Sequence, residues 1–151
     1  MKRFRFPLRP VALLRSHQEM RARETFAAAV QALVASEQVL AEVRVRMRDL
    51  EVELTSGRAK SFSVSAEIQA LDAYRRECAS AAEAEKAMNA AHETMQQRRS
   101  EYLDAHRKVE ILSKLEAKAR TFHRYETARE EQAEFDDFAG RRFAGRPLNS
   151  A

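Results

Sequence analysis

Residues 26–54 read FAAAVQALVASEQVLAEVRVRMRDLEVEL, and Phe26, Leu33, Leu40, Met47 and Leu54 recur in them at seven-residue steps. Ala29, Val43 and Leu50 follow members of that row by three residues, with Ser36 as the one polar residue in the second row. Regularity over four heptads marks a coiled-coil seam, because only a 3.5-residue apolar period keeps one stripe facing a partner helix. Upstream, Val11 and Leu14 fall outside this register, so a change of packing is expected near residues 15 to 25.

Working outward, the stretch from Val11 to Ala139 holds one glycine, Gly57, and no proline. Without these residues helices are not interrupted, so the spacing predicts two long helices and one bend. Pro7 and Pro10 suit a first helical turn, where the missing N–H has no acceptor to lose. The first helix is therefore placed at about 8–56. Thr55-Ser56-Gly57 is expected to end it through a positive-φ glycine, and Ser65 to cap the second helix, with Glu67 and Asp72 near its start. The bend spans about 57–65 and is short, so the helices run antiparallel.

The second helix, about 66–139, presents Tyr74, Ala81, Met88, Met95, Tyr102 and Val109 at seven-residue steps. Ala70, Ala84, Ala91, Ala105 and Leu112 lie three residues from that row. Alanine lets the backbones approach and receive larger knobs. Past Leu112 the apolar row moves to Leu115, Ala119 and Phe122, the sign of a stutter. At about 1.5 Å per residue the helices span about 70 and about 110 Å. With the bend near residue 60, the chain beyond about residue 110 is expected to overhang. Gly140 to Ala151 reads as a flexible basic tail. The fold class is all-α: a long two-helix antiparallel coiled-coil hairpin with an overhanging C-terminal helix.

Composition sets further bounds. Aromatic residues are 7% of the chain, tryptophan is absent and charged residues are 33%, a helical-rod composition with little apolar area to bury. Lys and Arg exceed Asp and Glu by four. Residues 8–56 balance at seven of each, and residues 66–139 carry twelve basic against sixteen acidic. The excess therefore sits at the termini and the bend, which argues against a nucleic-acid stripe along a helix. A single cysteine, Cys78, forms no internal disulfide and fits a reducing compartment. The basic lead Lys2-Arg3 is not followed by the apolar core of a secretory signal. No run reads as a membrane span. A cytoplasmic protein is expected.

Chemistry is not signalled. His92 with Glu93 and His106 with Glu110 fall short of the three or four convergent ligands a metal needs, so all four histidines, His17 and His123 included, read as solvated. Cys78 sits mid-helix, one turn from Tyr74, without the partner that would make it a nucleophile, and reads as seam-edge packing. Met88 and Met95 read as core fillers, and Asp136-Asp137 as a solvated face, since neighbours on a helix diverge. There is no phosphate-cradling glycine loop. No catalytic, cofactor-binding or metal-ligating residue is assigned, and the protein is expected to work by contact. Phe122, Tyr125, Phe135 and Phe138 fall on the overhang, either awaiting a partner or folding back on Phe4, Phe6 or Leu8.

Two stretches resemble the flagellar export protein FliJ family. One is Phe4-Arg5-Phe6-Pro7-Leu8 with Val11, Leu14-Arg15 and Glu19. The other is Arg99-Ser100-Glu101-Tyr102-Leu103-Asp104-Ala105-His106-Arg107, followed by Leu112, Leu115, Glu116, Lys118, Arg129-Glu130-Glu131-Gln132 and Asp136-Asp137. The resemblance implies a non-enzymatic stalk, like the γ subunit of rotary ATPases, in the type III export apparatus. Its terminal end would enter the ring of the export ATPase FliI and its hairpin side would face the export gate FlhA. Export chaperones would be further partners, and the protein would associate peripherally with the inner-membrane apparatus. Carried onto this chain, the ATPase end comprises Phe4, Leu8, Leu115, Phe122, Phe135 and Phe138, and the gate side Leu71, Tyr74 and Cys78. The alternatives are the equivalent stalk of a virulence injectisome and a coiled-coil holdase chaperone.

Overall fold

A computed structural model describes residues 3–60 and 63–144, and side chains over 3–57 and 63–142. It contains helix α1, Arg9–Lys60, and helix α2, Val64–Ala144, with no strand among the described residues. Leu8 opens α1: its carbonyl accepts the Ala12 N–H at 2.9 Å, while the Arg9 N–H reaches back to the Phe6 carbonyl at 3.3 Å. Pro10 thus lies in the first turn, where no intrahelical bond is lost.

Gly57 does not end α1. The helix runs on to Lys60, and no glycine among the described residues has positive φ. A Cβ placed on Gly57 would meet nothing within 4 Å, so neither a left-handed turn nor a close approach demands glycine there. The cap of α2 also differs from expectation. Ser63, not Ser65, precedes the helix, its carbonyl accepting the Glu67 N–H at 3.0 Å, and Glu67 supplies the favourable negative charge in the first turn. Gly140 lies within α2, which continues to Ala144; residues 145–151 of the expected tail lie outside the described residues.

The chain divides into two units, one made of Met1–Gln18 with His106–Ala151 and the other of Glu19–Ala105. In the second unit α1 and α2 form an antiparallel coiled coil. Phe26 stacks on Tyr102 with centroids 6.0 Å apart and planes 8° apart. Arg46 pairs with Glu77 at 3.2 Å, and the Tyr74 hydroxyl donates to Glu51 at 2.8 Å. These pairs are centred between residues 61 and 64, slightly beyond the midpoint read from the sequence.

Along α1 the covered positions are Ala12, Arg15, Glu19, Ala22, Phe26, Ala29, Leu33, Ser36, Leu40, Val43, Met47, Leu50 and Leu54. They alternate steps of three and four throughout. The heptad register therefore does not break near residues 15 to 25; it continues through small and charged residues, which an apolar pattern cannot reveal. Ser36 keeps its seam place by donating its hydroxyl to the Leu33 carbonyl at 2.7 Å.

Among the described residues full burial is confined to Ala29, Leu40 and Val43, at 8%, 4% and 1% exposure. A two-helix seam gives each side chain only one facing helix, so most seam residues remain half-buried. Shortening Leu40 to alanine is expected to destabilise the hairpin by about 2 to 3 kcal/mol. The same truncation at exposed Val34 should stay within about 0.5 kcal/mol. Urea unfolding followed by circular dichroism compares the two.

Candidate functional site

The unit holding both chain ends is organised by one aromatic residue. Phe4, half-buried, meets the His123 ring edge-on with centroids 5.4 Å apart and planes at 67°. The Arg120 guanidinium carbon lies 5.7 Å from the centre of the same ring. A quadrupolar ring presents a negative face to the guanidinium and accepts another ring's edge, so both contacts are attractive. Arg120 in turn pairs with Glu116 at 2.9 Å. The lead segment and α2 thereby border an open groove of about 730 Å³, with Arg5, Arg9 and Arg120 around Phe6, Pro10 and Leu13. His123 is half-buried. It is not the solvated histidine expected, because the partner that covers it lies 119 residues away in sequence.

Half-burial on α2 runs through Val109, Leu112, Glu116, Ala119, His123, Thr127 and Glu131. The expected stutter after Leu112 is absent: heptad steps continue to His123, and only then does the spacing become four and four. Leu115 and Phe122 therefore lie off the seam, at 43% and 62% exposure. Cover also reaches past residue 110, the expected start of the overhang. Glu116 and His123 hold this part of the seam, and the ring that meets His123 is that of Phe4.

The candidate contact residues at this end are Phe4, Leu8, Leu115, Phe122, Phe135 and Phe138, and all fall in one unit. Phe4 is spent on internal packing, whereas Leu8, Leu115, Phe122, Phe135, Phe138 and also Tyr125 are exposed. In the other unit Leu71 is exposed, while Tyr74 and Cys78 are half-buried toward the seam. Tyr74 is held through its hydroxyl, and the bond to Glu51, followed by that carboxylate's charge, pushes its pKa up to about 12 from 10.0.

Two features escaped the sequence reading. In the unit of residues 19–105, Val30, Val34, Val39, Val45 and Val52 are exposed on α1 in addition to its seam. By length and composition a stretch of α1 is apolar enough to cross a membrane, although only 11% of it is buried. The signal was the apolar remainder left once the heptad rows are subtracted. The second feature is charge: residues 107–129 hold seven basic and three acidic residues, and residues 130–137 five acidic and no basic, a division hidden in the sum over the whole helix.

The described geometry is one of exposed apolar side chains on two long helices. A family model described as flagellar FliJ protein matches residues 4–148. Among solved structures, a YscO homolog from Chlamydia trachomatis is similar in fold, with TM-score 0.60 and 15% identity over 98% of this chain and 100% of that one. No curated protein matches the sequence.

Titration tests the contact between helices at Tyr74. The protonated phenol donates to Glu51, so the stabilisation is complete below about pH 10 and is lost as pH rises toward 12. Absorbance titration of the three tyrosines should show one ionising near 12. Glu51→Gln should bring that transition down, and Tyr74→Phe should remove it.

Proposed function

Because the chain belongs to the flagellar FliJ family, which serves the type III protein export apparatus, we propose that it acts as the non-enzymatic stalk coupling the export ATPase ring to the export gate. The family match over nearly the whole chain carries this reading, and the exposed side chains of the unit holding both termini support it. In the proposal the FliI ring is contacted by Leu8, Leu115, Phe122, Phe135 and Phe138, with Phe4 holding the lead segment in place. Exposed aromatic and aliphatic side chains supply contact area, and basic residues speed docking by long-range attraction.

The gate protein FlhA is contacted around Leu71, with Tyr74 and Cys78 shaping the helix edge beneath it. Export chaperones are further partners on the same cytoplasmic, membrane-peripheral assembly. The injectisome counterpart is the second reading, favoured by one observation, the similarity in fold to a YscO homolog.

Pull-down with the cognate ATPase should show association, and turnover assays should show stimulated hydrolysis. Phe135→Ala with Phe138→Ala should weaken association about tenfold without unfolding the chain, since both side chains are exposed. Leu71→Asp should weaken capture of the FlhA cytoplasmic domain and leave ATPase binding intact. No association with a confirmed cognate ATPase would overturn the coupling role. Preferential binding of an injectisome ATPase would decide for the second reading.

A further inference from the structure

On α2, in the unit that contains His106–Ala151, Ile111, Leu115, Phe122 and Tyr125 are 58%, 43%, 62% and 66% exposed. At about 100° per residue they fall within an arc of about 80°, whose centre lies roughly 115° around the helix from the half-buried row Val109, Leu112, Glu116, Ala119 and His123. They form a second apolar stripe about 21 Å long that the coiled coil does not use.

Cations share that face. Lys118 and Arg129 lie inside the arc and Lys108 and Lys114 at its margins. Of the three carboxylates over 107–129, Glu110 pairs with Lys114 at 2.7 Å and Glu116 with Arg120 at 2.9 Å, and Glu116 turns toward the seam. Only Glu126 flanks the stripe. The unit as a whole carries fifteen basic and eight acidic residues, against twelve and fifteen in the other.

We propose that this outer stripe of α2, Ile111, Leu115, Phe122 and Tyr125 with Lys108, Lys118 and Arg129, docks on an anionic lipid bilayer. A bilayer interface takes apolar side chains below the headgroup level while long cationic side chains reach the anionic headgroups, and the two attractions together give stable binding where either alone is marginal. Single-stranded nucleic acid would satisfy the cations and stack on Phe122 and Tyr125, but it would leave Ile111 and Leu115 in water, since neither offers a stacking plane. The bilayer therefore matches all seven side chains.

Bilayer docking goes beyond the stalk reading and does not rest on it. Leu115 and Phe122 serve both surfaces, so lipid and ring engagement alternate, while Phe135 and Phe138 lie elsewhere around α2.

The chain lacks tryptophan, so Tyr125→Trp introduces a single indole into the intact protein. Its emission should shift to the blue on vesicles of phosphatidylglycerol and phosphatidylcholine, and not on phosphatidylcholine alone. Lys118→Glu with Arg129→Glu should weaken vesicle partition roughly thirtyfold or more. Ile111→Ser should weaken it too, with the helical circular dichroism of each variant intact. Phe135→Ala with Phe138→Ala should leave vesicle binding unchanged, which separates failure here from failure of the ring contact. Three results would each overturn the proposal: unshifted emission on anionic vesicles, vesicle binding indifferent to the charge reversals, or a shift produced by a single-stranded oligonucleotide and not by vesicles.

Discussion

The burial of Ala29, Leu40 and Val43 between two helices is the constraint on which the rest depends. With one facing helix available, an a/d seam closes over few side chains, and the other apolar groups among the described residues stay at least partly in water. Alanines at 81, 84, 91 and 105 are half-buried on α2 and bring the backbones close, which lets Leu40 and Val43 be covered. Stability of this kind is small for the length of chain ordered. An assembly that binds the folded form raises it by mass action.

Much of this was legible in the residues. Phe26, Leu33, Leu40, Met47 and Leu54 announced the seam of α1, and the lack of glycine and proline announced the length of the helices. What escaped notice has a common cause. Leu115 and Phe122 looked like the continuing seam because they are apolar, whereas Glu116 and His123 hold it. A residue's burial depends on what lies opposite, and opposite His123 stands Phe4, whose approach no local pattern encodes. The same holds for Arg15 and Glu19, seam members by position and polar by type. The exposed aromatics of α2 were legible as a list, but not their division around the helix, because the true seam must be known before an outer face can be defined.

Function follows from what the seam leaves over. A coiled coil that used all its apolar residues internally would be inert. Here Val30, Val34, Val45 and Val52 on α1, and Ile111, Leu115, Phe122 and Tyr125 on α2, each remain exposed in their own unit. Over residues 107–129 α2 carries seven basic and three acidic side chains, and over 130–137 five acidic and no basic ones. Such segregation along one helix turns a modest net charge into a local field that selects the sign of what approaches.

Gly57 ends up inside the last turns of α1, without positive φ and with open space where a side chain would go. Its effect is therefore entropic: relative to alanine it loosens the helix locally by about 1 kcal/mol. Thermal fraying of α1 is thus biased to begin at its C-terminal turns, and amide protons there exchange sooner than those beside Val43. The last described turns of α1 therefore open more readily than the seam around Val43, and opening there leaves the heptad register of that seam in place.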